Sequence, residues 1–166
     1  DELGERWPWL AASIGGFWSP DDGAVDPVRV VAAFRADAVR MGATIVADSA
    51  VALDHDGHRL RGVIGERGRY TAGMVVIAAG AWSGRLQQLP RPISVEPIRG
   101  QMLAFPWPDG AGPAIIYGDR CYLLHRAGEM LVGSTMDHAG FDASVTATAL
   151  TALQARASTV YPALAG

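Results

Sequence analysis

The chain has very little cysteine: Cys121 is the only one among 166 residues. This excludes an intrachain disulfide framework and a metal cluster built from cysteines, and it favours a reducing, cytoplasmic location. Cys121 stands beside Tyr122 in a strand-like run. A packed and passive thiol is therefore favoured over a reactive one.

The sequence also lacks a long apolar run, a basic block and a signal-peptide pattern. A membrane span needs roughly 18 to 20 apolar residues, and the apolar run at residues 74–79 is far shorter. The start, Asp-Glu-Leu-Gly-Glu-Arg, is acidic and polar. The formal net charge is −3, and the 14 Lys and Arg residues are spread along the chain. We therefore expect neither a membrane span nor a nucleic-acid partner.

What is present is a large apolar content interrupted by many turns. Hydrophobic residues make up 49% of the chain, enough to bury the core of one domain or pieces of two. The 20 glycines and 10 prolines show no repeat, which suits many short strands better than a helical bundle. The composition therefore predicts mixed α and β structure.

Periodicity and turn residues predict the order of the elements. Asp26 as N-cap, Pro27 at the first helical position and a stop at Gly42 predict one helix. Strands are predicted at residues 13–18, 44–47, 50–55, 59–64 and 74–79 and, beyond a boundary near residues 90–92, at 93–105, 114–117, 121–125 and 130–134. A short helix at 81–89 and a last helix ending near residue 160 complete the prediction. The run at 74–79 predicts a strand buried in a parallel sheet, and the later strands an antiparallel sheet.

Residues 78–82, Ala-Ala-Gly-Ala-Trp, carry the first candidate site. They follow a predicted buried strand and open a helix, and ligands bind at this end of the strands in a doubly wound sheet. Small residues let the backbone approach an extended ligand, and Trp82 either covers a ring or packs beneath it. A buried strand that simply ends in glycine looks similar, so the pattern alone leaves both interpretations open.

Three other arrangements give weaker signals. His55 and His58 flank a turn with no third ligand nearby in sequence, which argues against a metal site. The segment Gly-Ala-Trp-Ser-Gly at 80–84 has its glycine one place too early for a nucleophilic serine turn. Four arginines of a predicted hairpin favour a solvated face over an anion-binding surface: Arg59, Arg61, Arg67 and Arg69.

Several segments together resemble a known family. Residues 75–83 match a Val-Val-x-Ala-Ala-Gly-Ala-Trp-Ser motif at every fixed position, and residues 22–27, 99–101, 121–126 and 131–136 extend the similarity over nearly the whole chain. The chain resembles the glycine oxidase branch of the D-amino-acid oxidase family of FAD-dependent amine oxidases.

This resemblance implies FAD as the cofactor. In the family the backbone of the Ala-Ala-Gly turn contacts FAD, which here corresponds to Ala78, Ala79 and Gly80, with Trp82 in the same turn. The family also holds the adenine end of FAD through a backbone valine, for which Val51 is the candidate. The implied fold class is α/β plus α+β, with part of a Rossmann-like FAD-binding domain at residues 24–90. Residues 1–23 and 91–166 would form part of an antiparallel-sheet substrate-binding domain.

The resemblance also implies a substrate side and a reaction. Tyr122 matches a tyrosine that helps bind the substrate carboxylate, although His125 replaces the usual proline. Met136 stands where relatives place a residue lining the active site, while core packing explains a methionine there equally well. The implied reaction oxidises the amine of glycine or a small D-amino acid to an imine and then a 2-oxo acid, and oxygen is reduced to hydrogen peroxide. No side-chain base is needed. Thiamine biosynthesis is an implied context, and a homo-oligomer a possible assembly.

Two family segments have no match in this sequence. These are a strand-GxGxxG-helix unit that binds the FAD pyrophosphate and a downstream Arg-Pro-Gly segment whose arginine pairs with the substrate carboxylate. The chain is therefore expected to be an internal piece, and residues 1–166 alone are expected to bind FAD weakly or not at all. The alternatives are a sarcosine-oxidase-like or D-amino-acid-dehydrogenase-like flavoenzyme, and an inactive fragment without a complete flavin site.

Overall fold

The computed structural model describes residues 2–118 and 120–165, without the side chain of Glu2. The chain divides into two compact units, one formed by residues 1–25 and 98–166 and the other by residues 26–97. We call them the discontinuous unit and the inserted unit, because the second interrupts the sequence of the first.

The described elements include helices before and after the strands in both units. They are α1 (Glu2–Arg6), α2 (Pro27–Arg40), β1 (Ala50–His55), β2 (Leu60–Gly65), β3 (Arg69–Thr71), a 3-10 helix (Gly80–Arg85), β4 (Leu103–Pro106), β5 (Ile115–Gly118), β6 (Cys121–Arg126), β7 (Glu129–Gly133), α3 (Ala147–Val160) and a second 3-10 helix (Pro162–Ala165). Among these described elements, no helix combines the length and the apolar character needed to cross a membrane.

Helix α2 forms where the sequence supplies its N-terminal signals. The Asp26 carboxylate accepts hydrogen bonds from the N–H groups of Val28 and Arg29 at 2.9 and 3.2 Å. Pro27 lies in the first turn, where an N–H group would have no partner within the helix. The predicted helix is confirmed. Its apolar stripe is not covered by the described residues, since Val31 and Phe34 are 66% and 73% exposed.

The inserted unit contains a three-stranded antiparallel sheet in the order β1-β2-β3. Ala52 and Leu53 of β1 are its buried apolar residues within the described chain. After the first 3-10 helix, Gln87 returns to β1: its N–H donates to the Val51 carbonyl at 2.9 Å, and its carbonyl accepts from the Leu53 N–H at 3.1 Å. This parallel bridge ties the segment that follows residues 78–85 to the strand that carries Val51.

Two strand predictions in the inserted unit are wrong for the described residues. Residues 44–47 and 74–79 form no strand, and Met74 and Val76 are 82% and 81% exposed. A buried parallel strand requires a hydrogen-bonded neighbour and cover on both faces. The described chain supplies neither to residues 74–79, so an apolar run alone was not sufficient evidence for the strand.

The discontinuous unit contains a four-stranded antiparallel sheet in the order β4-β7-β6-β5, with α3 packed against it. This confirms the predicted antiparallel sheet and the last helix. The core consists of Trp107, Cys121, Leu123, Met130, Val132, Leu153, Ala157 and Leu164. The thiol of Cys121 is 5% exposed and donates to the Gly118 carbonyl at 3.1 Å, as expected of a packed thiol.

The strand predicted at residues 13–18 is wrong, and the one predicted at 93–105 is too long. Ile14 and Phe17 are fully exposed, and no described segment pairs with residues 13–18. Of the second range, the strand Leu103–Pro106 begins only near its end. Composition favoured strands at both places, but a strand forms only where a partner is in register.

The turn between β1 and β2 makes stability sensitive to acid. The Asp56 carboxylate accepts hydrogen bonds from the backbone N–H groups of Arg59 and His58 at 2.9 and 3.1 Å, and from the Arg61 guanidinium at 2.8 Å. These donors lower the pKa of Asp56 from 3.8 to about 2. Because the folded pKa lies below the unfolded value, this contribution is complete above a pH of about 4 and is lost as the pH falls towards 2.

We therefore expect Asp56→Asn to lose less stability than the wild type between a pH of about 4 and about 2. Urea unfolding at several pH values checks the slope, and an NMR titration of the Asp56 carboxyl carbon checks the pKa. The control is Asp21→Asn, which removes an exposed carboxylate and should leave the slope unchanged. A folded-state midpoint of 3.8 for Asp56 would contradict the prediction.

Candidate functional site

The Ala-Ala-Gly turn at residues 78–80 is open to solvent. Gly80 has a φ of 52°, in the left-handed region that favours glycine, and a Cβ placed there would meet no atom within 4 Å. The Trp82 N–H donates to the Ala79 carbonyl at 3.0 Å and starts the 3-10 helix Gly80–Arg85, which is shorter than the helix predicted at 81–89. Ala78 and Ala79 are exposed, so an extended ligand would meet backbone and small side chains here.

Trp82 lies in the first 3-10 helix, and Val51 lies in the strand to which the chain after that helix is hydrogen-bonded. The Trp82 indole is 61% exposed and therefore accessible to a ring stacked on it. Val51 is half-buried in β1, and its carbonyl accepts the Gln87 N–H. The structure thus places Val51, the turn and Trp82 in one unit. Their roles towards FAD stay predictions.

Asp48 is a residue that the sequence did not single out, and it holds the start of β1. Its carboxylate accepts hydrogen bonds from the Tyr70 hydroxyl at 2.6 Å and from the N–H groups of Ser49 and Arg67 at 2.8 and 3.2 Å. The Tyr70 hydroxyl, followed by these N–H groups, lowers the pKa of Asp48, and the same bond raises the pKa of Tyr70. The ionised carboxylate therefore fixes the backbone that leads into Val51.

Tyr122 lies over a glycine of the neighbouring strand. It pairs in register with Gly133, where an added Cβ would overlap the ring atoms Cζ and Oη. Its hydroxyl lies 3.8 Å from the sulfur of Met102. An open cleft of about 450 Å³, which we call the tyrosine cleft, is lined by Tyr117, Gly118, Arg120, Cys121, Tyr122, Gly133 and Ser134.

Met136 is 80% exposed, which argues against the core-packing interpretation for the described chain. It borders a second open cleft of about 760 Å³, which we call the methionine cleft. Its lining residues are Arg99, Arg120, Ser134, Thr135, Met136, Asp137, His138, Ala139, Thr146, Thr148, Ala149, Ala152, Leu153 and Arg156. The two clefts share Arg120 and Ser134, so the structure brings Tyr122 and Met136 to adjoining walls.

Hydrogen bonds on both sides of Met136 hold its backbone in place. Arg99 and Asp137 exchange two backbone hydrogen bonds of 2.9 Å, and the Thr135 N–H donates to the Gln101 carbonyl at 3.2 Å. The segment on either side of Met136 is therefore clamped to the Arg-Gly-Gln segment at 99–101, while the methionine side chain points away from the core.

The Gln101 side chain connects this segment to helix α3. It is 5% exposed; its Nε2 donates to the Asp137 carboxylate at 3.0 Å, and its Oε1 accepts the Thr146 N–H at 2.7 Å. The Gln101 amide and the Thr135 hydroxyl, aided by the Arg99 guanidinium, lower the pKa of Asp137. The structure therefore gives the Arg-Gly-Gln segment a structural role that its resemblance alone did not specify.

The weaker signals of the sequence correspond to ordinary surface contacts. His55 contributes Nδ1 as acceptor for the Gly57 N–H at 3.0 Å and places Nε2 3.1 Å from the Gln88 carbonyl, so both ring nitrogens are engaged within the chain. Arg61 and Arg69 are exposed and pair with Asp56 and Asp54. The predicted solvated arginine face is thus confirmed for these two.

The inserted unit carries an open small-residue turn after a β-meander, and the discontinuous unit carries an antiparallel sheet. The chain belongs to the DAO family of FAD-dependent oxidoreductases, whose family model matches residues 1–166. This confirms the resemblance, the fold class and FAD as the cofactor of the family.

Individual relatives agree with this assignment. The chain is 33% identical over 160 residues to the bifunctional protein ThiO/ThiG of Synechocystis sp., covering 91% of this chain and 24% of that protein. It is 38% identical over 120 residues to a glycine oxidase of Pseudomonas putida, covering 65% of this chain and 33% of that enzyme. The solved glycine oxidase of Bacillus cereus superposes with a TM-score of 0.87 at 29% identity, covering 98% of this chain and 47% of that one. The chain therefore spans less than half the length of these relatives.

Proposed function

We propose that the protein containing this chain oxidises the amine of glycine or a small D-amino acid and reduces oxygen to hydrogen peroxide. The observation that carries the proposal is the open Ala-Ala-Gly-Ala-Trp turn at 78–82, in a chain whose relatives include glycine oxidases. For glycine the overall reaction converts glycine, water and oxygen into glyoxylate, ammonia and hydrogen peroxide. A cytoplasmic location stays a prediction.

The residues of the turn fit FAD as the cofactor. The exposed backbone at 78–80 and the open space beside Gly80 leave room for an extended dinucleotide, and Trp82 offers an exposed ring face. Val51, the turn and Trp82 are the residues of this chain that would hold it. When bound, FAD supplies the acceptor for two electrons and the α-hydrogen of the substrate.

The side chains of the discontinuous unit would orient the amino acid. The Tyr122 hydroxyl is a donor suited to a substrate carboxylate, since its contact within the chain is a weak one, to the Met102 sulfur at 3.8 Å. Met136 presents an exposed apolar surface on one wall of the methionine cleft. These residues bind and position, and no proton transfer by a side chain of this chain is required.

The test is flavin reduction and peroxide release by the full-length protein. Purified protein that retains a flavin spectrum is mixed without oxygen with glycine, sarcosine or D-alanine, and we expect bleaching of the flavin absorbance. Admission of oxygen should restore the spectrum and release one peroxide per amine oxidised.

Tyr122→Phe should raise the KM for the amino acid roughly tenfold by removing one hydrogen bond to a charged group. Tyr161→Phe, whose ring packs on Trp9 away from both clefts, is the matched control.

The outcomes separate the competing functions. Bleaching by amines without peroxide release would favour a dehydrogenase that uses another electron acceptor, and bleaching by sarcosine alone a sarcosine-oxidase-like enzyme. Retained flavin that no amine bleaches would refute the proposal. A full-length protein that retains no flavin would favour the inactive alternative.

A further inference from the structure

The methionine cleft carries positive charge that the described carboxylates do not neutralise. Three arginines line it: Arg99, Arg120 and Arg156. Arg99 is paired with Asp137 and Asp142, at 3.6 and 2.9 Å. Within residues 2–118 and 120–165, Arg120 and Arg156 form no ion pair with a carboxylate. Asp137 is the carboxylate of the described cleft lining, and Gln101, Thr135 and Arg99 already engage it.

Arg120 has a positive φ, a backbone conformation that suits glycine or asparagine better than arginine. It lies in the turn between β5 and β6, where Gly118 pairs with Cys121, and its φ is 60°. Two-residue hairpin turns place Gly or Asn at positive φ because a Cβ is unfavourable there. An arginine held in this conformation is a reason to look for a function of its side chain.

The location of Arg120 connects it with the substrate side of the proposed function. It lines the tyrosine cleft with Tyr122 and the methionine cleft with Met136. Arg156 reaches the same methionine cleft from helix α3. Two arginines that form no ion pair with a carboxylate of residues 2–118 and 120–165 therefore line the cleft next to the residues that we propose orient the amino acid.

We infer that Arg120 and Arg156 recognise a second carboxylate of the substrate, so that the preferred substrate is an amino acid with two carboxylates. The inference rests on the proposed function, in which the Tyr122 hydroxyl binds the first carboxylate of the substrate. A guanidinium binds a carboxylate through two parallel hydrogen bonds, and an anion between two arginines relieves their mutual repulsion. Arg120 and Arg156 are thus specificity residues, and the chemistry at the amine is unchanged.

The test compares isosteric substrates with the full-length flavin-loaded protein. D-aspartate is compared with D-asparagine, and iminodiacetate with its monoamide, because each pair differs by one charge. We expect kcat/KM to favour the dicarboxylate of each pair by at least roughly tenfold. Arg120→Gln and Arg156→Gln should each reduce that ratio by about 10- to 100-fold, as expected for a lost charge-assisted hydrogen bond. Arg126→Gln, on an exposed position of β6 that lines neither cleft, should leave it unchanged.

A further variant distinguishes recognition from a structural role. Arg120→Gly relieves the backbone conformation, so its thermal stability should equal or exceed that of the wild type while the dicarboxylate ratio falls. Equal ratios in the wild type, Arg120→Gln and Arg156→Gln would overturn the inference, as would a wild type that prefers the neutral member of each pair.

Binding of succinate by calorimetry separates this inference from the proposed function when no amine is oxidised. Succinate carries two carboxylates and no amine. If succinate binds the wild type and its binding weakens at least roughly tenfold in both glutamine variants, the anion site is supported even though the oxidase function has failed. Succinate binding that is absent, or that neither substitution weakens, would then refute the site as well.

Discussion

Gln101→Leu is expected to destabilise the discontinuous unit more than any surface substitution. The change replaces the side-chain amide with an apolar group and removes the acceptor of the Thr146 N–H, which is bound at 2.7 Å at the start of α3. A buried donor left without an acceptor costs about 1 to 3 kcal/mol in the free energy of unfolding, and the half-buried Thr146 N–H should cost about 1 kcal/mol. The Asp137 carboxylate loses its Gln101 donor as well, so its pKa should rise towards the ordinary value.

Urea unfolding of the full-length protein measures this loss, with Gln87→Leu as the matched control. The Gln87 side chain is exposed and its sheet contacts are made by the backbone, so the control should stay within about 0.5 kcal/mol of the wild type. The pKa of Asp137 is lower in the folded state than in the unfolded state, so the carboxylate stabilises the fold at pH values above its unfolded pKa. This stabilisation is lost as the pH falls through the folded pKa. Gln101→Leu should therefore also show a weaker acid dependence. Wild-type stability in Gln101→Leu would show that the hydrogen bonds to Asp137 and Thr146 contribute nothing.

Gly133→Ala is expected to displace the Tyr122 ring and to impair substrate binding with it. The new Cβ would lie 2.9 Å from the Tyr122 Cε1 and closer still to two further ring atoms. Either the ring rotates away or the two strands separate, at a cost of about 1 to 3 kcal/mol. Since misplacement of a binding group by about 1 Å costs roughly 100-fold, kcat/KM for the amine substrate should fall by at least tenfold.

A double-mutant cycle checks that the effect passes through the tyrosine. Tyr122→Leu removes the ring atoms that the Cβ would meet, so Gly133→Ala should destabilise this variant by much less than it destabilises the wild type. Gly112→Ala is the control, because a Cβ at Gly112 meets no atom within 4 Å. Additive effects of the two substitutions on stability would contradict the steric mechanism.

Local signals in the sequence were sufficient to predict part of the fold. The N-cap and proline at 26 and 27 predict α2, and the turn at Asp56 and Gly57 predicts the β1–β2 hairpin, because both depend on contacts between residues close in sequence. The strand at 74–79 failed because burial depends on neighbours that an apolar run does not identify. Similarly, the stripe of α2 predicts a helix but not what covers it.

The candidate site was predictable only where a contiguous motif carried it. The turn at 78–82 and Tyr122 could be named as candidates because the resemblance assigns them residue by residue, and their roles stay predictions. The contacts of Asp48 with Tyr70 and of Gln101 with Thr146 join residues that are distant in sequence, and no spacing rule links them. Arg120, which we propose as a specificity residue, was not a candidate because an arginine in a turn gives no signal until its φ and its two clefts are known.

The division of one unit into two sequence segments has a consequence for synthesis on the ribosome. The Ala11 N–H donates to the Val160 carbonyl at 2.8 Å, and Trp9 packs on Tyr161. These partners emerge only after roughly 150 further residues, which takes about 7 to 30 s at ordinary elongation rates. Ala11 and Trp9 therefore lack these partners while the inserted unit is being synthesised. Slowing translation after residue 97 should lengthen that time and increase the demand for chaperones.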